Sequence, residues 1–261
     1  MKKYFYLIII LIIFSSCEKD VDIDIKEAPK QLVISSLFSN IPEDSYIVLT
    51  FSKGFERENN EYEFITGAQI TVKDTQGNPI VFTADSNNVY KTSTPAVPGE
   101  KYTLDIRKDN FHLSAEENIP EIVTLQDFDI QRTDGNVKLI LYFDDPQGQT
   151  DYYRIIVQTD TYNFSSNYDF LTTDFYYDSQ THSLELENLN IQSTGHFKVK
   201  LFHLNKKVYD YYETLYNLNE INYGDSPFES AVPGNPNTNV NGGIGYFIGV
   251  GESEVEKNIS N

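Results

Sequence analysis

The chain has no tryptophan, one methionine (the initiator, Met1) and one cysteine, Cys17. A lone cysteine leaves no disulfide framework and no paired-cysteine metal or redox motif. Histidines are few: His112, His182, His196 and His203. His196 and His203 share one strand-like stretch but stand an odd number of residues apart, so they face opposite ways and cannot chelate one ion. Basic residues are scarce, with 20 Lys and Arg against 39 Asp and Glu and a formal net charge of −19. So acidic a body repels nucleic acid and anionic membrane surfaces, and no basic patch with interleaved aromatics offsets it; no nucleic-acid partner is expected. Long apolar runs are missing too. The longest, Tyr4 to Phe14, would make a helix of roughly 16 Å at about 1.5 Å per residue, against a hydrocarbon core of about 30 Å.

That short run has another use. Lys2 and Lys3 precede it, and Phe14-Ser15-Ser16 brings small residues up to Cys17. The layout is that of a cleavable signal peptide over 1–16, with Cys17 freed to carry lipid on its sulfur and its new amine. Each buried methylene contributes about 0.8 kcal/mol, so two or three acyl chains anchor the body to a membrane effectively permanently. Residues 17–30 then form a charged tether ending in Ala28-Pro29.

From Gln31 the pattern becomes strand-like. QLVISSLF and SYIVLTFSK are rich in β-branched and aromatic types, and Ala68 to Val72 alternates before the turn Asp74-Thr75-Gln76-Gly77-Asn78-Pro79. IVFTA, the turn Asp85 to Asn88, Pro98-Gly99, KYTLDIRK and FHLSAEEN complete a first β-sandwich over 31–118. Asn118-Ile119-Pro120 marks a boundary. A second series follows, in which Val137, Leu139, Leu141 and Phe143 share one face, as do Phe197, Val199 and Leu201. One short helix is expected at 206–218, where Val208, Tyr211 or Tyr212, Leu215 and Leu218 make an apolar stripe. A long loop over 219–239, a last strand from Ile244 to Val250 and a frayed tail over 252–261 close the chain. The fold class is mainly β: two immunoglobulin- or fibronectin-like sandwiches, 31–118 and 119–251, with one helix in the second.

A search for chemistry returns little. No GxSxG elbow occurs, and Gly224-Asp225-Ser226 resembles a trypsin-like nucleophile segment but runs into Pro227, where those enzymes have glycine. Adjacent carboxylates such as Asp144-Asp145 and Glu116-Glu117 face opposite ways on a strand and make poor acid/base pairs. Asp127 and Asp129 could share a face and hold a hard cation with loop carbonyls, or lie on a solvated face. Asn241-Gly242-Gly243-Ile244-Gly245 has no lysine or following helix, so it reads as a tight turn with close backbone packing, not a phosphate cradle. No catalytic residue, metal ligand or cofactor is assigned, and no enzyme is expected. The tyrosine cluster of the helix reads as core or as a contact surface; on the second reading Tyr209, Tyr212, Tyr216, Tyr223 and Phe228 meet a partner or ligand.

Several segments together resemble a known family: the acidic tether, TGAQITVKDTQGNP, VPGEKYTLDI, DDPQGQTDYYR, the tyrosine-rich helix and SPFESAVPGNPNTNVNGGIGYF. In order, over nearly the whole chain after Cys17, they resemble the Bacteroidetes lipoproteins grouped as the domain of unknown function 4249 family. The first unit is also similar to carboxypeptidase-regulatory and transthyretin-like sandwiches. The resemblance implies no activity and no catalytic residue. Glu18, Asp20, Asp22 and Asp24 resemble the acid-rich surface-export signal of Bacteroidetes lipoproteins, or form a solvated linker. The resemblance implies an outer-membrane lipoprotein, at the cell surface or, less favoured, on the periplasmic face, serving a TonB-dependent β-barrel transporter as accessory or ligand-capturing partner. The alternatives are an envelope assembly protein that binds other proteins, and an uncharacterised hydrolase.

Overall fold

A computed structural model describes residues 29–53, 63–133, 136–159, 168–174, 182–189, 194–222 and 237–260. Cys17, Glu18, Asp20, Asp22, Asp24, Tyr223 and Phe228 lie outside the described residues. The first half forms β1 (Leu32–Ser39), β2 (Tyr46–Phe51), β3 (Gln69–Lys73), β4 (Pro79–Val81), β5 (Thr83–Ala84), β6 (Tyr90–Lys91), β7 (Lys101–Lys108) and β8 (Phe111–Asn118). The second half forms β9 (Leu125–Thr133), β10 (Asn136–Phe143), β11 (Tyr152–Thr159), β12 (Tyr168–Thr173), β13 (His182–Leu189) and β14 (Gly195–Leu204). The helix α1 (Lys206–Asn222) follows, then β15 (Val240–Asn241), β16 (Ile244–Tyr246) and β17 (Gly249–Ile259).

Alternation of apolar and polar residues decides the layers. In β7 every second residue, Tyr102, Leu104 and Ile106, is buried. They close against β1, β2 and β6, so the sheet β15-β8-β7-β3-β4 packs on the β16/β1-β2-β6-β5 portion of a larger sheet. Phe38 sits at the centre of this core, edge-on to Tyr102 with ring centroids 4.9 Å apart. Burying a ring of this kind contributes about 1.5–3 kcal/mol.

The second sandwich places β13-β10-β9 over β12-β11-β14-β17. Val137, Leu139, Leu141 and Phe143 face Tyr153, Ile155, Val157, Phe197, Val199 and Leu201, the two sequence-derived faces meeting as one core. Three strands over four, in this order, is the fibronectin type III arrangement. The two units are joined by more than a linker. β17 lies parallel to the end of β1, pairing Phe38 with Gly249 and Ser39 with Val250, so one sheet runs through both.

The last 25 residues differ from the sequence reading in two ways. Val240 and Asn241 pair with β8, and Ile244 to Tyr246 pair in parallel with β1, so this stretch completes the first sandwich although it follows the second in sequence. Close backbone approach makes this return feasible. A Cβ on Gly245, at φ +109°, would stand 1.9 Å from the Ile34 carbonyl oxygen. One on Gly242 would stand 2.1 Å from that of His112. The glycines therefore serve tight packing, as expected. The acidic tail, in contrast, is not frayed. β17 pairs with β14 as far as Ile259, because Val255 and Ile259 pack on the second core while Glu254 and Glu256 pair with Lys198.

Candidate functional site

Helix α1 covers the outer face of the shared sheet at the seam. Asn205 caps it: its Oδ1 accepts from the Val208 amide at 3.1 Å. Val208, Tyr211 and Tyr212 pack on Leu37, Phe202, Leu204, Ile248 and Val250. Arg154, on the outward face of β11, donates from Nε and Nη2 to both oxygens of Asp169, at 2.8 and 2.5 Å, and from Nη1 to the Tyr212 hydroxyl at 2.9 Å. Its guanidinium also lies 4.3 Å from the Tyr212 ring centroid. Tyr212 is thus consumed inside the molecule, which removes it from any contact surface. Tyr209 lies tilted against Tyr152, ring centroids 5.0 Å apart, and Tyr216 stands 6.3 Å from Tyr212, both half-buried.

At the start of the helix three chain segments meet on Glu117, which is buried. Asn205 donates to it at 2.6 Å, Asn239 at 3.0 Å, and its own Oε1 accepts from the Asn118 amide at 2.9 Å. Burial pushes its carboxyl above the usual range despite those donors. Asn239 also grips Phe247 through both its backbone amide and carbonyl. Beside this node, the polar outer face of the five-stranded sheet and the first turn of α1 enclose an open groove of about 1020 Å³. Lys73, Arg107 and Lys207 give it positive groups; Asp105, Glu116 and Asp210 give it negative ones.

Two carboxylate clusters lie elsewhere. Asp44, Glu252 and Glu254 come together, with the Lys200 ammonium in contact with all three. Ser39 donates to Glu252 at 2.5 Å. Burial, reinforced by Asp44, pushes the Glu252 carboxyl up to about 7. The other cluster is Asp145, Asp151 and Asp174, all buried, each offering an oxygen within 4.8 Å of the others. Burial pushes Asp145 up to about 6, with its two acidic neighbours adding to the effect. Asp144 and Asp145 diverge as the sequence suggests, Asp144 accepting from Gln126 at the surface. What the sequence does not show is that the fold brings Asp145 to Asp151 and Asp174. Their closeness depends on the β11–β12 pairing, which spans some twenty residues of chain.

Asp127 and Asp129 do share a face, but Lys257 contacts both, so the chain's own ammonium stands where a hard cation would sit. Its hydrogen bond holds the Asp127 carboxyl below the usual range. Gly224-Asp225-Ser226 lies outside the described residues. The ring nitrogens of His112 and His203 face Asp105, Asp151 and the Glu121 carbonyl, none of them a hydroxyl or thiol nucleophile.

These features define a class: a tandem β-sandwich protein with one sheet common to both units, a seam helix and an open groove lined by charged side chains. The chain belongs to the family described as Domain of unknown function (DUF4249), whose model matches residues 18–256. No curated protein matches it. Among solved structures it is similar to a cytokine receptor complex (8% identity, 67% of this chain and 85% of that one, TM-score 0.28). It is also similar to a two-domain fibronectin type III segment of chicken tenascin (13%, 68% and 91%, TM-score 0.22). A third is a DUF3823 family protein from Parabacteroides merdae (10%, 67% and 91%, TM-score 0.24). Among the described residues no helix is long and apolar enough to cross a membrane.

Proposed function

We propose that this is a non-enzymatic, lipid-anchored outer-membrane protein that presents its two sandwiches as an accessory or ligand-capturing partner of a TonB-dependent transporter. The anchor reading rests on Lys2-Lys3, the short apolar run and Cys17. The binding reading rests on one observation, the groove beside Glu117. Its floor is β-strand, its wall is the first turn of α1, and charges of both signs line it, which favours orientation-specific docking of a polar partner. A floor of paired strands keeps those groups in place before binding, which lowers the ordering cost.

The test is affinity capture from detergent-solubilised membranes with the anchor intact, comparing wild type with Lys207→Glu/Arg107→Glu. Co-purification of one β-barrel transporter by wild type but not by the variant supports the proposal. Recovery of only assembly components supports the alternative, an envelope scaffold, and sinks the transporter reading. Radiolabelled palmitate on wild type but not on Cys17→Ser checks the anchor separately, and protease shaving of whole cells reports which face of the membrane carries the body.

A further inference from the structure

Asp145, Asp151 and Asp174 come from three points that the second sandwich brings to one end. Asp145 and Asp151 flank the β10–β11 loop, and Asp174 follows β12. They are 4%, 3% and 3% exposed. Each uses one oxygen on the protein. Asp145 Oδ1 accepts from the Tyr153 hydroxyl at 2.5 Å, and Asp174 Oδ1 from the Asp151 amide at 2.7 Å. Asp151 Oδ1 meets Gln149 Nε2 at 3.0 Å and His203 Nε2 at 2.9 Å. In all three the other oxygen, Oδ2, is buried with no hydrogen-bond partner among the described residues.

Three orphaned carboxylate oxygens inside a protein are an unusual cost, since a buried acceptor without a donor loses its water and gains nothing. Among the described residues no Lys or Arg is paired with any of them, whereas the cluster at Asp44 contains Lys200. His203 does not supply a metal ligand, because its Nδ1 is taken by the Glu121 carbonyl at 2.7 Å and its Nε2 by Asp151. The free donors are therefore oxygen only. Oxygen-only, carboxylate-rich donor sets on loops that can add carbonyls and water suit a hard divalent cation and not zinc or copper.

We propose that Asp145, Asp151 and Asp174 form a calcium-type cation site that clamps the β10–β11 loop to the end of β12. The hydrogen bonds to the Oδ1 atoms orient the carboxylates, and the ion takes the Oδ2 atoms. Three carboxylates here face at most one imidazole, His203 on Asp151, and the ion supplies the further positive charge that Lys200 supplies at Asp44. This site lies apart from the groove and does not depend on the transporter reading.

The test uses the chain purified after chelation, titrated calorimetrically with calcium, magnesium and zinc, with thermal unfolding measured alongside. One calcium per chain is expected, with zinc and magnesium at least tenfold weaker, and saturating calcium raises Tm by several degrees. Terbium, which replaces calcium, is expected to luminesce on tyrosine excitation through Tyr153, with no tryptophan in the chain to compete. Asp174→Asn is the deciding variant. Removing one charge from an ion-free cluster relieves repulsion, so this variant unfolds at or above the Tm of ion-free wild type, yet loses the calcium increment and the terbium signal. Glu254→Gln, in the other cluster, keeps both. Absence of calcium binding in wild type overturns the proposal. So does an Asp174→Asn protein whose Tm still rises with calcium as wild type does. If Asp174→Asn fails to fold, Asp145→Asn gives the same reading.

Discussion

Two groups of three carboxylates, one wholly buried and one buried only at Glu252, answer the same electrostatic problem differently. At the seam, Asp44, Glu252 and Glu254 enclose Lys200, and Ser39 adds a hydroxyl donor. At the seam end of the second sandwich, Asp145, Asp151 and Asp174 have hydrogen-bond donors on one oxygen each, His203 among them, and among the described residues no Lys or Arg is paired with them. The first is neutralised from within the chain and holds two units of the fold together. The second is left open to a cation from outside. Counting acids therefore says little about a site; what matters is whether a fixed positive charge already stands among them.

Taking Lys200 away should break the contrast most severely. Lys200→Met leaves Glu252, which is fully buried, and its neighbours without a counter-charge. Removing one partner of a buried ion pair costs about 3–5 kcal/mol. Urea unfolding should show a midpoint lowered accordingly, with the seam losing amide protection first because Asp44 follows β1 and Lys200 lies on β14. A midpoint unchanged within error would mean that Lys200 is not what neutralises the cluster.

Next in size is the other internal cation at the seam, Arg154. Arg154→Lys keeps the charge but cannot hold both Asp169 oxygens and the Tyr212 hydroxyl at once. A loss of about 1–3 kcal/mol is expected, read as faster hydrogen exchange along α1 with the sandwich strands unchanged. Uniform acceleration across both sandwiches would show that the helix is integral to their cores and not docked on them.

The legibility of these features from sequence follows the range of the interactions. Strand alternation is local, so both core faces of the second sandwich could be read, Val137 to Phe143 and Phe197 to Leu201. The glycines near 242–245 read correctly as a tight turn because their spacing and the following aromatics allowed little else. The apolar stripe predicts a helix over 206–218, and the helix runs on to Asn222. The tail over 252–261 reads as frayed from its charge, because the partners of its glutamates, Lys198 and Lys200, stand far off in sequence on β14. Glu117, Asn205 and Asn239 meet only because the return segment crosses back to the first sandwich, a contact over some 120 residues with no local signature. Asp145 and Asp151 bracket a turn-rich loop that could have drawn notice; Asp174 could not, since nothing in its neighbourhood names β11 as its partner strand.

Acidity sharpens the contrast with smaller effects of opposite sign. Glu252 is pushed up to about 7 in the folded chain from 4.5. A raised acid favours the folded state fully below its unfolded value, and that contribution is lost as pH rises through the folded one. Glu252→Gln, which cannot ionise, should therefore flatten the stability profile between about pH 4.5 and 7. A profile as steep as wild type would assign the slope to another group.

The exposed pair marks the bottom of the scale. Asp127 is half exposed and its carboxyl is held low by the hydrogen bond from Lys257. A depressed acid stabilises above its unfolded value, and that contribution is lost as pH falls below it, the reverse of Glu252. Solvent and salt screen such a pair, so Asp127→Asn should cost under about 1 kcal/mol at low salt and less at 0.5 M, where the Debye length is a few ångströms. The same salt series should move the cost of Lys200→Met less, since Lys200 and Glu252 are buried, although Asp44 and Glu254 are partly exposed. If both variants respond equally to salt, the seam cluster is wetter than its burial implies, and the distinction between internally neutralised and open clusters loses its basis.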